Sequence, residues 1–401
     1  MGRYWVVFTA FIMVFSACSA VGDEPSQWRG PNRAGIYYEP GLLDTWPEGG
    51  PELLWSYEGL GAGHTSAVHG FGRIFTTGMP DTLGVLYCFD QQGSLLWQKT
   101  YGTEWHVNYT GPRSTPVIAG DRVYLESGMG VVYCFDALSG DILWEVDLLK
   151  RFDAENIQWG MTETLLIDGD NIICTPGGKK HNLAALNRFT GQTVWTSPGY
   201  GEPAAYCSPI LVEHNNTRLV VTMTASSIVG VDAGTGEMYW RAEQMQRNKI
   251  HANSPVYADG VIYCSSASAP RSSGTLALRL SDDGKQVEQL WRNESLQNLM
   301  GGIVLLDGFI FGSTYRSDNC MLSTFRTVKH TSWQKILKMG SLCMLMACFT
   351  FTMKTAKWPW CRWIMIRLKS GAGFLSHWVP TSTGRILLST IKNCTSGMAM
   401  H

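Results

Sequence analysis

Short runs of alternating apolar and polar residues, broken every few positions by Gly, Asp or Asn, cover the chain from about Ser66 to Trp291. A period of two with frequent turn residues predicts strands and hairpins rather than helices. The runs also repeat one another. Leu86-Tyr87-Cys88-Phe89-Asp90 returns 46 residues later as Val132-Tyr133-Cys134-Phe135-Asp136, and each copy leads through a Gly turn to Leu-Trp, at Trp97 and Trp144. The common unit is Ser/Thr-Pro-Val, an Asp-Gly or Gly-Asp turn, a Val-Tyr strand, a second strand ending near Asp, a Gly turn, and a strand ending in Trp.

Five copies are traceable. A looser one runs from Ser66-Ala67-Val68 to Trp97, followed by Thr115-Pro116-Val117 to Trp144 and Thr164 to Trp195. Ser208-Pro209-Ile210 to Trp240 and Ser254-Pro255-Val256 to Trp291 complete the set. One such unit cannot bury its own apolar face, so copies must stack. About four strands in 45–51 residues is the content of one propeller blade. The expected fold is all-β, a β-propeller of four-stranded blades, with the repeated Tyr, Asp and Trp serving blade packing and turn capping. Leu53-Leu54-Trp55 reads as a fourth strand with no blade before it. In a closed ring Leu53–Tyr57 would supply the outer strand of the last blade.

Composition adds limits. A 45% hydrophobic, 16% charged chain is a folded one, and sixteen Trp with 43 Gly suit many short strands and tight turns. A net charge of −1 gives no case for nucleic acid or an anionic membrane as partner. The start reads as an export signal over residues 1–20: Arg3, the apolar run Tyr4–Phe15, and the small residues Ser16-Ala17-Cys18-Ser19-Ala20. Ser16-Ala17-Cys18 also resembles a lipoprotein box, which would make Cys18 a lipidation site. Lipidation, plain cleavage and an uncleaved anchor all stand open. Residues 21–52 form a lead-in. The eleven Cys have no metal-ligand spacing, and no metal site is expected. Cys88 and Cys134 fall at one repeat position and read as buried free thiols, since free Cys packs as a small hydrophobe.

The segments Phe135–Trp144 and Val231–Trp240 carry Asp-x-x-x-Gly-x-x-x-Trp, and Gln27-Trp28-Arg29-Gly30-Pro31-Asn32-Arg33 resembles the opening of many exported relatives. On these residues the chain resembles the pyrroloquinoline-quinone-like (PQQ-like) β-propellers, from about Trp28 to Asn319. The resemblance implies the fold but not one activity, because quinoprotein dehydrogenases and non-catalytic assembly lipoproteins share it. The dehydrogenases imply PQQ with calcium, an Asp base and, in many, adjacent cysteines. No Cys-Cys pair and no Cys-x-x-Cys-His haem motif occurs here. No cofactor is therefore expected, with PQQ and calcium the alternative.

From Cys320 the pattern stops. Residues 320–401 hold 11 Lys and Arg and no Asp or Glu, against 21 basic and 33 acidic residues before them. Five Trp interleave these charges, which is unlike a solvated basic arm. Read one base out of phase, the codons available to Cys320–Val328 permit Tyr-Ala-Ile-Asp-Phe-Gln-Asp-Gly, another copy of the repeat. Similar matches arise over Cys343–Pro359 and Ile391–His401. The reading is a one-base loss at codon 320 that garbles the rest, with the blades over 53–319 in frame. Five to five and a half blades are then expected in frame, of an intended eight. The apolar run Leu342–Met353 becomes a by-product, too short to span a membrane in any case.

Propeller ligands usually meet the face where inner strands begin. The candidates just before each repeat are His64, Arg113, Trp159, Glu163, Tyr206, His251 and Asn253. Arg113 has the fork for a carboxylate or phosphate, and Glu163 and His251 the chemistry for proton transfer. No catalytic residue is assigned. The function expected is a non-catalytic binding or scaffold protein, exported to the periplasm or anchored at the outer membrane of a Gram-negative bacterium. Its partner would be an envelope protein or a glycan, the chain a monomer, and any membrane contact through the lipid anchor. A PQQ-dependent alcohol dehydrogenase and a glycan-binding propeller are the alternatives.

Overall fold

The computed structural model describes residues 25–37, 52–267, 274–306 and 309–315, together with the backbone strands Asn319–Thr324, Trp333–Lys338 and Arg385–Leu388. The expected export signal with Cys18, and the tail apart from those strands, lie outside the described residues.

Among the described residues there are six four-stranded antiparallel sheets, each a meander in chain order. Blade 1 comprises Val68–Gly70, Arg73–Gly78, Leu83–Phe89 and Leu95–Thr103. Blade 2 comprises Val117–Ala119, Arg122–Glu126, Val131–Asp136 and Ile142–Asp147. Blade 3 is Leu166–Asp168, Asn171–Cys174, His181–Asn187 and Thr193–Pro198. Blade 4 is Ile210–His214, Thr217–Met223, Ser227–Asp232 and Met238–Glu243. Blade 5 is Val256–Ala258, Val261–Ser266, Gly274–Leu280 and Val287–Asn293. Blade 6 is Val304–Leu306, Phe309–Ser313, Asn319–Thr324 and Trp333–Lys338. The five traced repeats coincide with blades 1 to 5.

The core lies between blades. Val117, Tyr124 and Cys134 of blade 2 form one cluster with Ile172, Cys174 and Leu186 of blade 3, and Val212, Val221 and Ile228 of blade 4 form another with Ile262, Cys264 and Leu276 of blade 5. Each sheet thus buries its apolar faces on its neighbours, as the repeat requires. Cys88 and Cys134 are buried free thiols whose burial pushes them up to about 11.

One column of residues explains the sequence period. Across the second, third and fourth strands it reads Phe75–Cys88–Trp97 in blade 1 and Tyr124–Cys134–Trp144 in blade 2. It continues as Ile173–Ala185–Trp195, Val221–Gly230–Trp240 and Tyr263–Ala277–Trp291. The third-strand member is always small because the indole lies across it. A Cβ at Gly230 would stand inside the Trp240 ring. In all five blades the register shifts directly after that small residue. Blade 6 breaks the rule: Leu322 holds the small position, Gln334 the Trp position, and the shift falls between Cys320 and Met321.

Three of these Trp rest on the Gly turn of the following blade, Trp97 on Gly140, Trp144 on Gly191 and Trp195 on Gly236. Trp144 and Trp195 also donate their indole N–H to Arg188 O (3.0 Å) and Ala233 O (3.1 Å) there. The repeated Asp caps the same turn: Asp136 Oδ1 accepts from Leu138 N and Ser139 N, and Asp232 Oδ1 from Gly234 N and Thr235 N. The backbone bond from Ser139 lowers the Asp136 carboxyl, and the Tyr239 hydroxyl, with Thr235 and the turn N–H groups, lowers that of Asp232. Trp55, in the strand Trp55–Glu58, sits on Gly93 of blade 1 and donates to Gln91 O (3.2 Å). It stands to blade 1 as Trp97 stands to blade 2. Its strand pairs antiparallel with Arg385–Leu388.

Candidate functional site

A four-stranded meander sends the turn between its second and third strands to the same edge as the links between blades. These loops therefore make one face, and all seven candidate residues belong to it. The repeated Ser and Thr hold it together. Thr115 Oγ1 accepts from Ser66 N (3.1 Å), Ser208 Oγ from Thr164 N (2.9 Å), and Ser254 Oγ donates to Ser208 O (2.9 Å). Each joins the starts of two successive blades.

Three candidates are buried and bonded to backbone. Glu163 Oε2 accepts from Thr175 N (3.0 Å), and burial pushes its carboxyl up to about 8. His251 lies with Nε2 2.9 Å from Gln244 O, the geometry of an N–H donating to a carbonyl, and burial holds the ring down at about 4. It is a neutral imidazole at ordinary pH. Asn253 donates to Ser265 O (3.2 Å) and Asn298 O (2.8 Å) and accepts from Gly302 N (2.8 Å). Both side chains are buried and bonded to backbone through one atom, while Glu163 Oε1 and His251 Nδ1 have no partner among the described residues.

The other four come together nearer the surface. Arg113 donates from Nη2 to Asn108 O (3.0 Å) and Tyr109 O, with its guanidinium 6.0 Å from the Trp105 ring centre. His64 is exposed and its Nε2 lies 3.1 Å from the same Tyr109 O. Although its edge reaches solvent, partial desolvation by the surrounding loops and the Arg113 charge lower its pKa. Trp159 and Tyr206 pack with ring centres 6.0 Å apart, and the Tyr206 hydroxyl accepts from Trp159 N (3.3 Å). Arg113 and Tyr206 are close enough to perturb each other's ionisation. The two pairs thus share one aromatic and cationic patch.

Beside that patch opens a cavity of about 450 Å³, within the range of ligand pockets. Its walls are the loops at 153–158, 177–179, 201–206 and 247–249, with Asp153, Glu155, Lys179, Tyr206, Arg247 and Lys249 among them. Asp153, Tyr206 and Lys249 hold left-handed backbone, φ 50°, 68° and 58°, a conformation that costs free energy in non-glycine residues and gathers at working sites. Among the described residues none of the five charged side chains forms an ion pair. Sequence reasoning found Tyr206 but missed Lys179, Arg247 and Lys249, which sit at no repeated position. Glu104 and Glu202 were missed for the same reason. Glu104 Oε2 accepts from Gly128 N (2.8 Å), and Glu202 takes Thr224 Oγ1, Ser227 Oγ and Arg241, bracing the turns around the cavity.

The ring axis is filled by the chain itself. Residues 25–37 run there, with Arg29 and Arg33 buried. Among the described residues no three His, Cys, Asp or Glu side chains converge as a metal site would need.

A family-level sequence model described as "Outer membrane protein assembly factor BamB" matches residues 82–335. Outer membrane protein assembly factor BamB of Kangiella koreensis is 26% identical over 182 residues, 44% of this chain and 42% of that protein. The chain thus spans less than half the length of that curated relative. Among solved structures, BamB from Moraxella catarrhalis superposes with a TM-score of 0.50 at 14% identity, covering 87% of this chain and 94% of that one. This likeness shows the fold. The quinohemoprotein alcohol dehydrogenase from Comamonas testosteroni gives a TM-score of 0.45 at 13% identity over 65% of this chain and 53% of its own, too loose to argue from.

Proposed function

This chain belongs to the PQQ-like β-propeller repeat family described as outer membrane protein assembly factor BamB, and from that premise we propose an exported, non-catalytic propeller of the bacterial cell envelope that docks a partner protein on its loop face. The observation that carries the reading is the division of labour among the loop residues. The groups with acid–base chemistry are bonded to backbone inside, while Trp159, Tyr206 and Arg113 flank an open cavity ringed by unpaired charges. Aromatic and Arg side chains are the usual anchors of protein interfaces. No helix among the described residues is long and apolar enough to cross a membrane. The partner of this reading is a component of outer-membrane assembly.

Photo-crosslinking in intact envelopes tests it. A benzoyl-phenylalanine replacing Trp159 is expected to capture an outer-membrane assembly protein. The same probe replacing Leu138, 62% exposed on a turn at the opposite face, is expected to capture none. Equal capture from both positions, or capture of glycan alone from position 159, overturns the proposal. So does micromolar binding of PQQ with calcium in a calorimeter.

A further inference from the structure

The Trp-Arg-Gly-Pro-Asn-Arg segment lies before the first blade, yet it reaches almost every blade. Ser26 forms a bridge with Ile118, on the first strand of blade 2, with N···O distances of 2.9 Å both ways, and its hydroxyl donates to His69 O on the first strand of blade 1. The short 3-10 turn Pro31–Arg33 packs against Ile210–His214, the first strand of blade 4. Arg33 donates from Nη1 to Thr164 O (2.7 Å) and from Nη2 to Leu165 O (2.6 Å), at the start of blade 3. Arg29 donates from Nη1 to Gly301 O (2.8 Å) and from Nη2 to Ile303 O (2.6 Å), at the start of blade 6. Only a segment on the axis can touch the innermost strands of blades 1, 2, 3, 4 and 6.

Both arginines are held as if by sockets. Arg29 Nε donates to Arg33 O (3.0 Å), and Arg33 Nε to Gln27 Oε1 (3.0 Å), so each guanidinium is tied to the segment as well as to a blade. The Arg29 head lies between Gly35 and Gly302. A Cβ at Gly35 would come within 2.9 Å of Nη2, and one at Gly302 would overlap Nη1. Arg29 and Arg33 are 3% and 1% exposed. A buried cation is tolerated only when its donors are satisfied, and here carbonyls satisfy them. A planar fork meets two carbonyls at once, which a lysine cannot do.

We propose that the ring axis is a binding site for an Arg-x-x-x-Arg peptide and that its occupant is this chain's own residues 25–37, a strap fastening blade 3 to blade 6 across the ring. The acceptors are main-chain carbonyls, so the site selects the arginine pair of the strap. While the strap is seated, the axis is closed to other ligands and the ring is braced from within, without reliance on the outer strand that closes it.

Limited trypsin digestion of the full chain tests this without any substitution. Cleavage after Arg29 and Arg33 is expected to run at least 100-fold slower than after Arg247, which is exposed on the loop face. Cleavage at equal rates overturns the strap. Hydrogen exchange on Arg29→Lys/Arg33→Lys, which keeps both charges and loses both forks, is the second arm. The amides of 164–168 and 301–306 are expected to exchange at least tenfold faster than in the parent, with blade 5 strands unchanged. Unchanged exchange at both blade starts overturns the proposal. If that variant does not fold, the digestion of the parent decides alone.

Discussion

The indole bond between blades makes a differential prediction. Trp195 is 8% exposed, rests on Gly236 of blade 4, and donates to Ala233 O at 3.1 Å. Trp97 has the same place in blade 1 and rests on Gly140, but its indole Nε1 finds no partner among the described residues. Truncating Trp195 to Ala removes about 150–250 Å² of buried surface. At about 25 cal/mol/Å² that is roughly 4–6 kcal/mol, close to the ~3–5 kcal/mol typical of Trp→Ala in cores. Such a loss confounds packing with the hydrogen bond, so Trp195→Phe is the sharper perturbation. It keeps most of the ring, and it leaves Ala233 O without its donor at a cost of about 1–3 kcal/mol. Trp97→Phe loses no bond and is expected to cost under ~1 kcal/mol. Urea unfolding followed by far-ultraviolet circular dichroism measures both, compared at a common slope so that the midpoints report stability. Equal costs for Trp195→Phe and Trp97→Phe would refute the assignment of a stabilising inter-blade bond.

Two further outcomes follow from other parts of the molecule. Burial pushes Glu163 up to about 8 and Glu126, beside it and 1% exposed, well above its usual value; the unfolded acids ionise near 4.5 while the folded ones resist, so stability is greatest below that pH and falls as pH rises through about 8. Glu126→Gln/Glu163→Gln is expected to flatten this slope in urea midpoints taken at pH 5, 7 and 9, and a slope equal to the parent's would exclude these two acids as its source. At the level of the gene, nucleotide sequence across codons 315–325 in independent clones is expected to show one missing base at codon 320, and an intact Cys codon in all of them sinks the frameshift.

The fold was legible because the repeat is written in residues with strong geometric demands. Trp97, Trp144, Trp195, Trp240 and Trp291 need a small partner across the ladder, and the Asp-capped turn needs its Gly, so spacing alone located five blades. The sixth was read only at its start. Phe309–Ser313 follows the pattern, whereas Asn319–Thr324 and Trp333–Lys338 pair as backbone strands without the Trp column, so no side-chain signature marks them. The candidate site was half legible. Position before each repeat puts the seven residues on the loop face, but it cannot separate Tyr206, which lines a cavity, from His251, whose imidazole turns inward to Gln244 O. That choice depends on the path of each loop. The arginines of the strap were visible only as a family-like opening, since their acceptors at Thr164 and Gly301 lie more than 130 and 270 residues away.

Blade 6 and Trp55 bear on one question, how the ring ends meet. Trp55 rests on the Gly93 turn as a fourth-strand Trp of a preceding blade does, so blade 1 is packed on both sides as an interior blade is. A fourth strand placed this way calls for three inner strands of the same sheet. Among the described residues it has one partner, Arg385–Leu388. Blade 6 loses the small–Trp pairing at Leu322 and Gln334, within a few residues of the position where the repeat pattern stops. Both departures fall on the same side of residue 320, and everything before it keeps register in all five blades. A stretch that had merely diverged would be expected to keep the small third-strand residue longest, since an indole across a larger side chain has nowhere to go. Losing the column, the Asp turn and every acidic residue at one point is the outcome that the proposed one-base loss at codon 320 predicts, and it is the outcome its nucleotide test is aimed at.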